Sequence, residues 1–404
     1  MNTTDLTPLS VRPSLEQYKK QSKEFVKLGK SGDAEIVQRV KKYHPRPGQV
    51  LDAKFALAEA QLVIAREHGF ESWPKFAKHI EALTRENSPV SQFELAADAV
   101  VTGDAAALES LLRENPKLIR ARSTRVHRAA LLHYVGANGV ENYRQKSPKN
   151  AVEIAKILLD AGAEVDAVAD TYGKGTTLGL VATSIHPKQA GVQIALLETL
   201  LDYGAAIDAL PDGWSPLISA LRNGRPEAAE FLAQRGARQD LEGAAGVGRL
   251  DVVESFFNED GSLKTSATKT QMDSGFFWAS EYGRTRVVDF LLKKGADLRA
   301  GENTGLTGLH WAVVGGQLGT IRMLLERGAP LEAKNVYGGT VLGQALWSAI
   351  NGDPGTDYVP IIQTLIEAGA EIPKGSLSWL EYAGRSSVVK ARIAEVLRRH
   401  GAKS

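Results

Sequence analysis

The sequence predicts an all-α solenoid of about eight stacked helix-turn-helix units, joined by short hairpin connections and closed at its N-terminal end by a helical cap. Three observations predict it. A phrase built on two leucines and a Gly-Ala pair recurs with a period of about 33 residues. Between its occurrences, apolar residues stand three and four apart in two short runs separated by glycine. The composition, 43% apolar and 24% charged over 404 residues, is that of a folded chain with a core throughout.

Taken in order, residues 1–13 are polar and carry Asp5, Pro8 and Pro13, so they are expected to be a flexible arm. A secretory leader would need an apolar stretch of about 7–15 residues there, and none is expected. Nor does the chain hold a run of about 18 apolar residues of the kind that spans a bilayer. Residues 14–90 read as a helical capping module. Amphipathic patterns run from Lys20 to Val40 and from Phe55 to Leu83, and Gly29-Lys30-Ser31-Gly32-Asp33 before Ile36-Val37 has the form of a diverged repeat turn. A stack of repeats needs such a module to shield its end face.

The solenoid itself is expected over residues 91–404. Its marker phrase stands at Leu158–Ala167, Leu200–Ala209 and Leu232–Asp240, then again from Leu291, Leu324, Leu365 and Leu397, with marker glycines Gly162, Gly204, Gly236, Gly295, Gly328, Gly369 and Gly401. The wide gap between Gly236 and Gly295 contains one degenerate unit, Phe256–Leu263. Within a unit, Thr307-Gly308-Leu309-His310-Trp311-Ala312-Val313 is followed by Gly315-Gly316 and then by the apolar periodicity of Ile321, Leu324 and Leu325. That order is helix, turn, helix and glycine stop, the last glycine supplying the positive φ of a C-cap.

In these residues the chain resembles the ankyrin repeat family, whose unit contains T-P-L-H-x-A-A and closes on L-L-x-x-G-A. The segment from Glu302 to Lys334 matches best, at Thr307, Leu309, His310, Ala312, Gly316 and Gly328-Ala329. Further units match at Ser215-Pro216-Leu217 with Ala220, at Leu132-His133 with Gly139, at Leu241 with Ala244-Ala245, and at Ala279 with Gly283. The resemblance extends from about residue 92 to the C-terminus, and the GFESW segment looks like the helical leader of some bacterial members. It implies a scaffold that binds other proteins. It also implies that His133 and His310 hydrogen-bond the turns between units, a structural role.

Composition narrows the chemistry. Lys+Arg 49 against Asp+Glu 47 leaves a net charge of +2, too little to draw the chain to nucleic acid or an anionic membrane. Without cysteine, disulfides, thiolate metal cages and cysteine nucleophiles are excluded, and a reducing, cytoplasmic setting is expected. The histidines lack metal-ligand spacing, so no metal or cofactor is expected. Gly173-Lys174-Gly175-Thr176 is not a phosphate loop, because Gly175 separates the lysine from the hydroxyl.

The departures from the repeat point to function. Three units carry extra residues between their helices, at 139–150, 184–192 and 351–359, and these loops are expected to project along one edge and deepen the groove beside them. The inner-helix position after the histidine holds Tyr134, Trp278 and Trp311. One turn on stand Asn138, Glu281 and Tyr282, the hairpin tips bring Tyr172, Asp212, Trp214 and Tyr337, and Trp347 joins from its inner helix. Rings of this kind give large contact area at small entropy cost; for any one of them, core packing is the competing role.

The leading expectation is therefore a binding protein that grips a protein partner in an aromatic-lined concave groove. The alternative is a pocket closed by the inserted loops around a small apolar or aromatic molecule, in a sequestering binder or an atypical enzyme. Its polar set would be Asp212, Glu281, Tyr143, Tyr282 and Arg144, with Asp212 or Glu281 as acid or base. A purely structural spacer would leave the aromatic surface unexplained.

Overall fold

The computed structural model describes residues 6–51, 55–208, 215–301, 303–384 and 387–402. Its chain divides into two compact units, Met1–Ala237 and Arg238–Ser404.

Unit 1 opens with the helical module. Helices Leu15–Lys30, Ala34–Tyr43, Leu57–Glu67 and Trp73–Leu83 enclose a core of Tyr18, Phe25, Val63, Phe70 and Phe76, where the Tyr18 and Phe76 rings meet edge to face at 4.8 Å. Asp33 starts the second helix by accepting from the N–H groups of Glu35 and Ile36, the side-chain cap expected of an aspartate there. Arg39 forks onto Glu67 at 2.6 and 2.8 Å. Residues 6–13, expected to be a flexible arm, lie along this module. Leu6 is buried, the Thr7 N–H donates to the Glu67 carbonyl at 2.8 Å, and the Thr7 carbonyl accepts from His68 Nδ1 at 2.7 Å.

Helix pairs follow. Unit 1 holds Pro89–Thr102 with Ala105–Glu114, Leu131–Val135 with Ala151–Asp160, Thr177–Thr183 with Gln193–Asp202, and Pro216–Arg222 with Pro226–Gln234. Unit 2 holds Leu241–Val247 with Leu250–Glu254, Lys269–Glu281 with Thr285–Lys293, Gly308–Val314 with Leu318–Glu326, Val341–Asn351 with Val359–Glu367, and Ser376–Tyr382 with Ser387–Arg399. The first pair carries no marker phrase because it ends in a 3₁₀ turn, Pro116–Arg120, instead of Gly-Ala. In unit 1, and through most of unit 2, first helices pack on first helices and second on second. Each pair thereby covers an apolar face that it cannot bury alone.

The connections are short, as in the antiparallel pair Val168–Ala169 with Gly175–Thr176 and the bridge between Gly301 and Thr307. All seven marker glycines are left-handed, from +79° at Gly328 to +100° at Gly369. His310 Nδ1 accepts from the Thr307 N–H of its own unit at 3.3 Å, and His133 acts as the resemblance implied. The Ala130 N–H donates to His133 Nδ1 at 3.1 Å, which leaves the proton on Nε2 to donate to the Ala167 carbonyl in the next hairpin at 2.9 Å. No described helix is long and apolar enough to cross a membrane.

Glycine at 315 is required by contact and not by φ, which is −76°. A Cβ there would lie 1.7 Å from the Glu281 carbonyl oxygen of the preceding inner helix. We expect Gly315→Ala to cost unit 2 about 3 kcal/mol, read as a lower denaturation midpoint. The control Gly319→Ala meets nothing within 4 Å and sits inside a helix, where alanine is favoured by about 1 kcal/mol. Equal midpoints for the two variants would refute the contact argument.

Candidate functional site

The inner helices of unit 2 carry the aromatic residues in register. Trp278, Trp311 and Trp379 occupy the same place in their repeats, and Trp347 and Tyr382 stand one helical turn further on, where earlier repeats have Glu281 and Val314. The leucines that alternate with them are buried: Leu309, Leu342, Leu377 and Leu380 belong to one core. The aromatic side chains are not all buried with them. Trp347 is 54% exposed, Trp379 39% and Tyr382 90%, with hairpin-tip Tyr337 at 88%. Trp311 is half-buried, and its indole N–H is enclosed without an acceptor.

Trp379 and Tyr382 are exposed aromatic residues that sequence reasoning does not find. A signal for them exists: Leu377-Ser378-Trp379-Leu380 aligns with Leu309-His310-Trp311-Ala312, but serine replaces the histidine that anchors the motif. Trp278 needs a correction in the other direction, being only 8% exposed. It stands on a helix beside Leu241–Val247, whose Gly243, Ala244, Ala245 and Gly246 permit very close packing; a Cβ on Gly275 would come within 2.9 Å of the Ala245 methyl. Glu281 and Tyr282, at the end of the same helix, are half-buried, and the Tyr282 N–H donates to the Trp278 carbonyl at 2.8 Å. Asp212 and Trp214 lie outside the described residues.

In unit 1 the expected contact residues separate into two groups. Asn138 and Tyr172 come together: the Tyr172 hydroxyl donates to Asn138 Oδ1 at 3.1 Å, and Asn138 Nδ2 donates to Thr183 Oγ1 at 3.0 Å. Tyr172 is otherwise exposed at its hairpin tip. Tyr134, expected on the concave surface, is fully buried, because the residues inserted after its helix fold over it. Its hydroxyl faces Glu141 at 3.5 Å.

That inserted segment builds a buried ion network. Arg125 Nη1 reaches Glu94 at 2.5 Å and Glu141 at 3.0 Å. Arg144 reaches Glu94 at 2.6 Å, Asp98 at 2.8 Å and Glu141 at 3.3 Å, and His127 Nε2 stands 3.5 Å from Glu141 Oε2. Tyr143 closes one side, its hydroxyl accepting from Arg125 at 3.4 Å. Burial pushes the Glu141 carboxyl up, but Arg125, His127 and Arg144 outweigh it and hold the group well below the carboxylate range. Burial raises the Tyr143 phenol to about 12. Asp98, Arg125, Tyr143 and Arg144 also line a cavity of about 670 Å³ under residues 8–13. The connection that carries Arg125, between Arg120 and Leu131, ties the repeats to the capping module, with Thr124 Oγ1 2.7 Å from His79 Nδ1 and the Val126 N–H on the Gly69 carbonyl at 2.9 Å.

The three lengthened loops therefore do not deepen a groove by projecting. Each folds back on the repeat before it. Arg144 holds the first to the Pro89–Thr102 helix, and Asn150 Nδ2 donates to the Gly103 carbonyl at 3.0 Å. Ser184 of the second approaches the Ala137 carbonyl at 3.3 Å. Tyr358 of the third donates to the Val314 carbonyl at 2.9 Å. Loops with free partners in the preceding turn bury their polar groups there more favourably than they extend into solvent.

A family model of ankyrin repeats (three copies) matches residues 145–243, 241–335 and 276–376, together more than half of the chain. Among solved structures, the human ASB11 ankyrin repeat domain is similar at 22% identity and a TM-score of 0.36, covering 72% of this chain and 100% of that one. None of the curated proteins matches. Ankyrin repeats generally mediate binding between proteins. By the family match and the stacked helix pairs, this chain belongs to the ankyrin repeat family.

Proposed function

We propose that the chain binds a protein partner, and that Trp311, Trp347, Trp379 and Tyr382 on the inner helices of unit 2, with Tyr337 at a hairpin tip, form the contact surface. The observation that carries this reading is the division of labour along three successive inner helices: the leucines enter the core while Trp347, Trp379 and Tyr382 stay in solvent and Trp311 is half-buried. Stability would favour polar residues at those places, whereas recognition favours Trp and Tyr, which dominate the energy of protein interfaces. Asn138 and Tyr172 supply a second contact in unit 1. The cysteine-free sequence supports placing this activity in the cytoplasm. The small-molecule and enzymatic alternatives draw no support from this site, where Asp212 lies outside the described residues.

The test is capture of a partner by wild type and by a Trp347→Ala, Tyr382→Ala double variant, followed by titration of the captured partner. Removing two such contacts is expected to weaken binding at least about thirtyfold, the equivalent of about 2 kcal/mol. Because both side chains are largely exposed, the melting temperature of unit 2 should not move. Unchanged affinity in the double variant would sink the proposal.

A further inference from the structure

Backbone strain marks a surface in unit 1, and an inference from it deepens the partner-binding reading at the contact that Asn138 and Tyr172 supply. Among the described residues, those other than glycine in the left-handed region are Asn87, Arg128, Ala137, Tyr172 and Lys174, at φ of +56°, +49°, +46°, +47° and +97°. Asparagine visits that region readily, and the Ala137 methyl is buried. Arg128, Tyr172 and Lys174 are long side chains that stay exposed, so packing offsets little of their strain. Glycine would hold the same backbone without steric cost, as Gly261, Gly305 and Gly338 do in connections of unit 2. Strain that the fold does not need gathers at binding sites.

Two adjoining connections carry these residues. The Asp170 N–H of the hairpin donates to the His127 carbonyl of the connection before it at 2.7 Å. Arg122 Nη1 joins them again, 2.5 Å from the Val168 carbonyl and 3.4 Å from that of Arg128. Tyr172 and Lys174 stand at the tip of the same hairpin, between Val168–Ala169 and Gly175–Thr176, with the Tyr172 hydroxyl fixed on Asn138. A surface ordered in this way loses little freedom when a partner docks. Its charge gives the partner's character. At the two tips, Arg128 and Lys174 stand against Asp170, which lies 3.9 Å from Arg128 with both side chains more than half exposed, a pair too open to cancel the guanidinium. Glu164 and Asp166 precede the paired residues, at the end of the hairpin away from its tip, and Asp166 accepts from the Ala206 N–H of the next repeat at 3.1 Å. The tips therefore favour carboxylates.

We infer that Arg128, Tyr172 and Lys174 form a docking patch for an acidic segment of a protein partner, its carboxylates set against Arg128 and Lys174 and its chain lying on the Tyr172 ring.

The test uses the full chain and two fluorescein-labelled peptides of about a dozen residues each, one with glutamate at alternate positions and one with glutamine in their place. At low ionic strength the glutamate peptide should bind at least tenfold more tightly by anisotropy, and the difference should shrink as salt is added. In Arg128→Gly with Lys174→Gly that advantage should be lost, while the first thermal transition stays in place or rises because glycine relieves the backbone. A fall of that transition would show that the two side chains serve the fold, and it overturns the inference. Equal binding of the two peptides overturns it too, as does an advantage for glutamate that survives in the double variant. If the glutamate peptide does not bind while capture of a protein partner still depends on Trp347 and Tyr382, the acidic-segment inference falls and the partner-binding reading stands. If the peptide binds through Arg128 and Lys174 while no capture depends on Trp347 and Tyr382, the unit 1 patch stands and the unit 2 surface falls. If neither dependence is found, both fall.

Discussion

Arg125→Ala should lower the stability of unit 1 by about 3–5 kcal/mol, because it strands Glu94 and Glu141 in a site from which water is excluded. Arg125 contacts both carboxylates, and its side chain, like that of Glu141, is almost fully buried. Arg144 remains in the variant but cannot neutralise both, since it also serves Asp98. For a unit of this size about 2–4 °C accompanies each kcal/mol, so the first thermal transition should fall by about 10 °C. A charge-removing partner change is the informative second variant. In Arg125→Met with Glu141→Leu the cavity stays filled and one charge pair is removed, so much of the loss should be recovered. Calorimetry of wild type, both single variants and the double variant gives the coupling. A single-variant loss under about 1 kcal/mol would mean that water reaches and screens the network.

The network also marks where sequence reading ran out. The repeat was legible because it is written locally: glycine stops, paired leucines and the alanine of close helix packing recur in phase, so helix pairs and hairpins could be placed from the residues, and the resemblance to the family supplied the His133 bridge. The aromatic positions were visible in the same way but their exposure was not: Tyr134 and Trp278 are buried where Trp347 is exposed, and Trp379 and Tyr382 were missed where serine broke the motif. Glu94, Arg125, Glu141 and Arg144 have no such phase. Their pairings span separations of up to 50 residues, and a carboxylate in a loop looks the same in sequence whether solvated or buried. The inserted loops were misread on that account. Their length was visible, but not the open carbonyls of Ala137 and Val314 and the helix face of Glu94 and Asp98 that draw them back.

Acid should destabilise unit 1 well above the pH at which ordinary carboxylates titrate, and three histidines are the reason. Burial lowers His68 and His79 to about 4, and burial, with Arg122 nearby, lowers His133 to about 4. The cost lies in burying the charged ring, and at His133 the Nδ1 that accepts from Ala130 cannot accept when protonated. In the unfolded chain each histidine takes up its proton near pH 6.5. Between that value and about 4 the unfolded state holds more protons than the native state, so stability falls as pH falls. The contribution is fully present above pH 6.5 and is lost progressively down to the folded value. Over that interval each group accounts for about 3 kcal/mol, and the three together for about 10 kcal/mol, comparable to the whole stability of an ordinary domain. Unit 1 should therefore melt at progressively lower temperature from pH 6.5 downward and be unfolded by about pH 4.5. Glu94 and Glu141, held below the usual carboxylate range, add their own loss only at lower pH. His79→Gln separates the causes: its amide can still pair with Thr124 but does not titrate, so the slope of stability against pH between 6.5 and 4.5 should fall by about one third. A slope unchanged by that variant, or a midpoint flat across the interval, would show that these rings take up protons in the folded state.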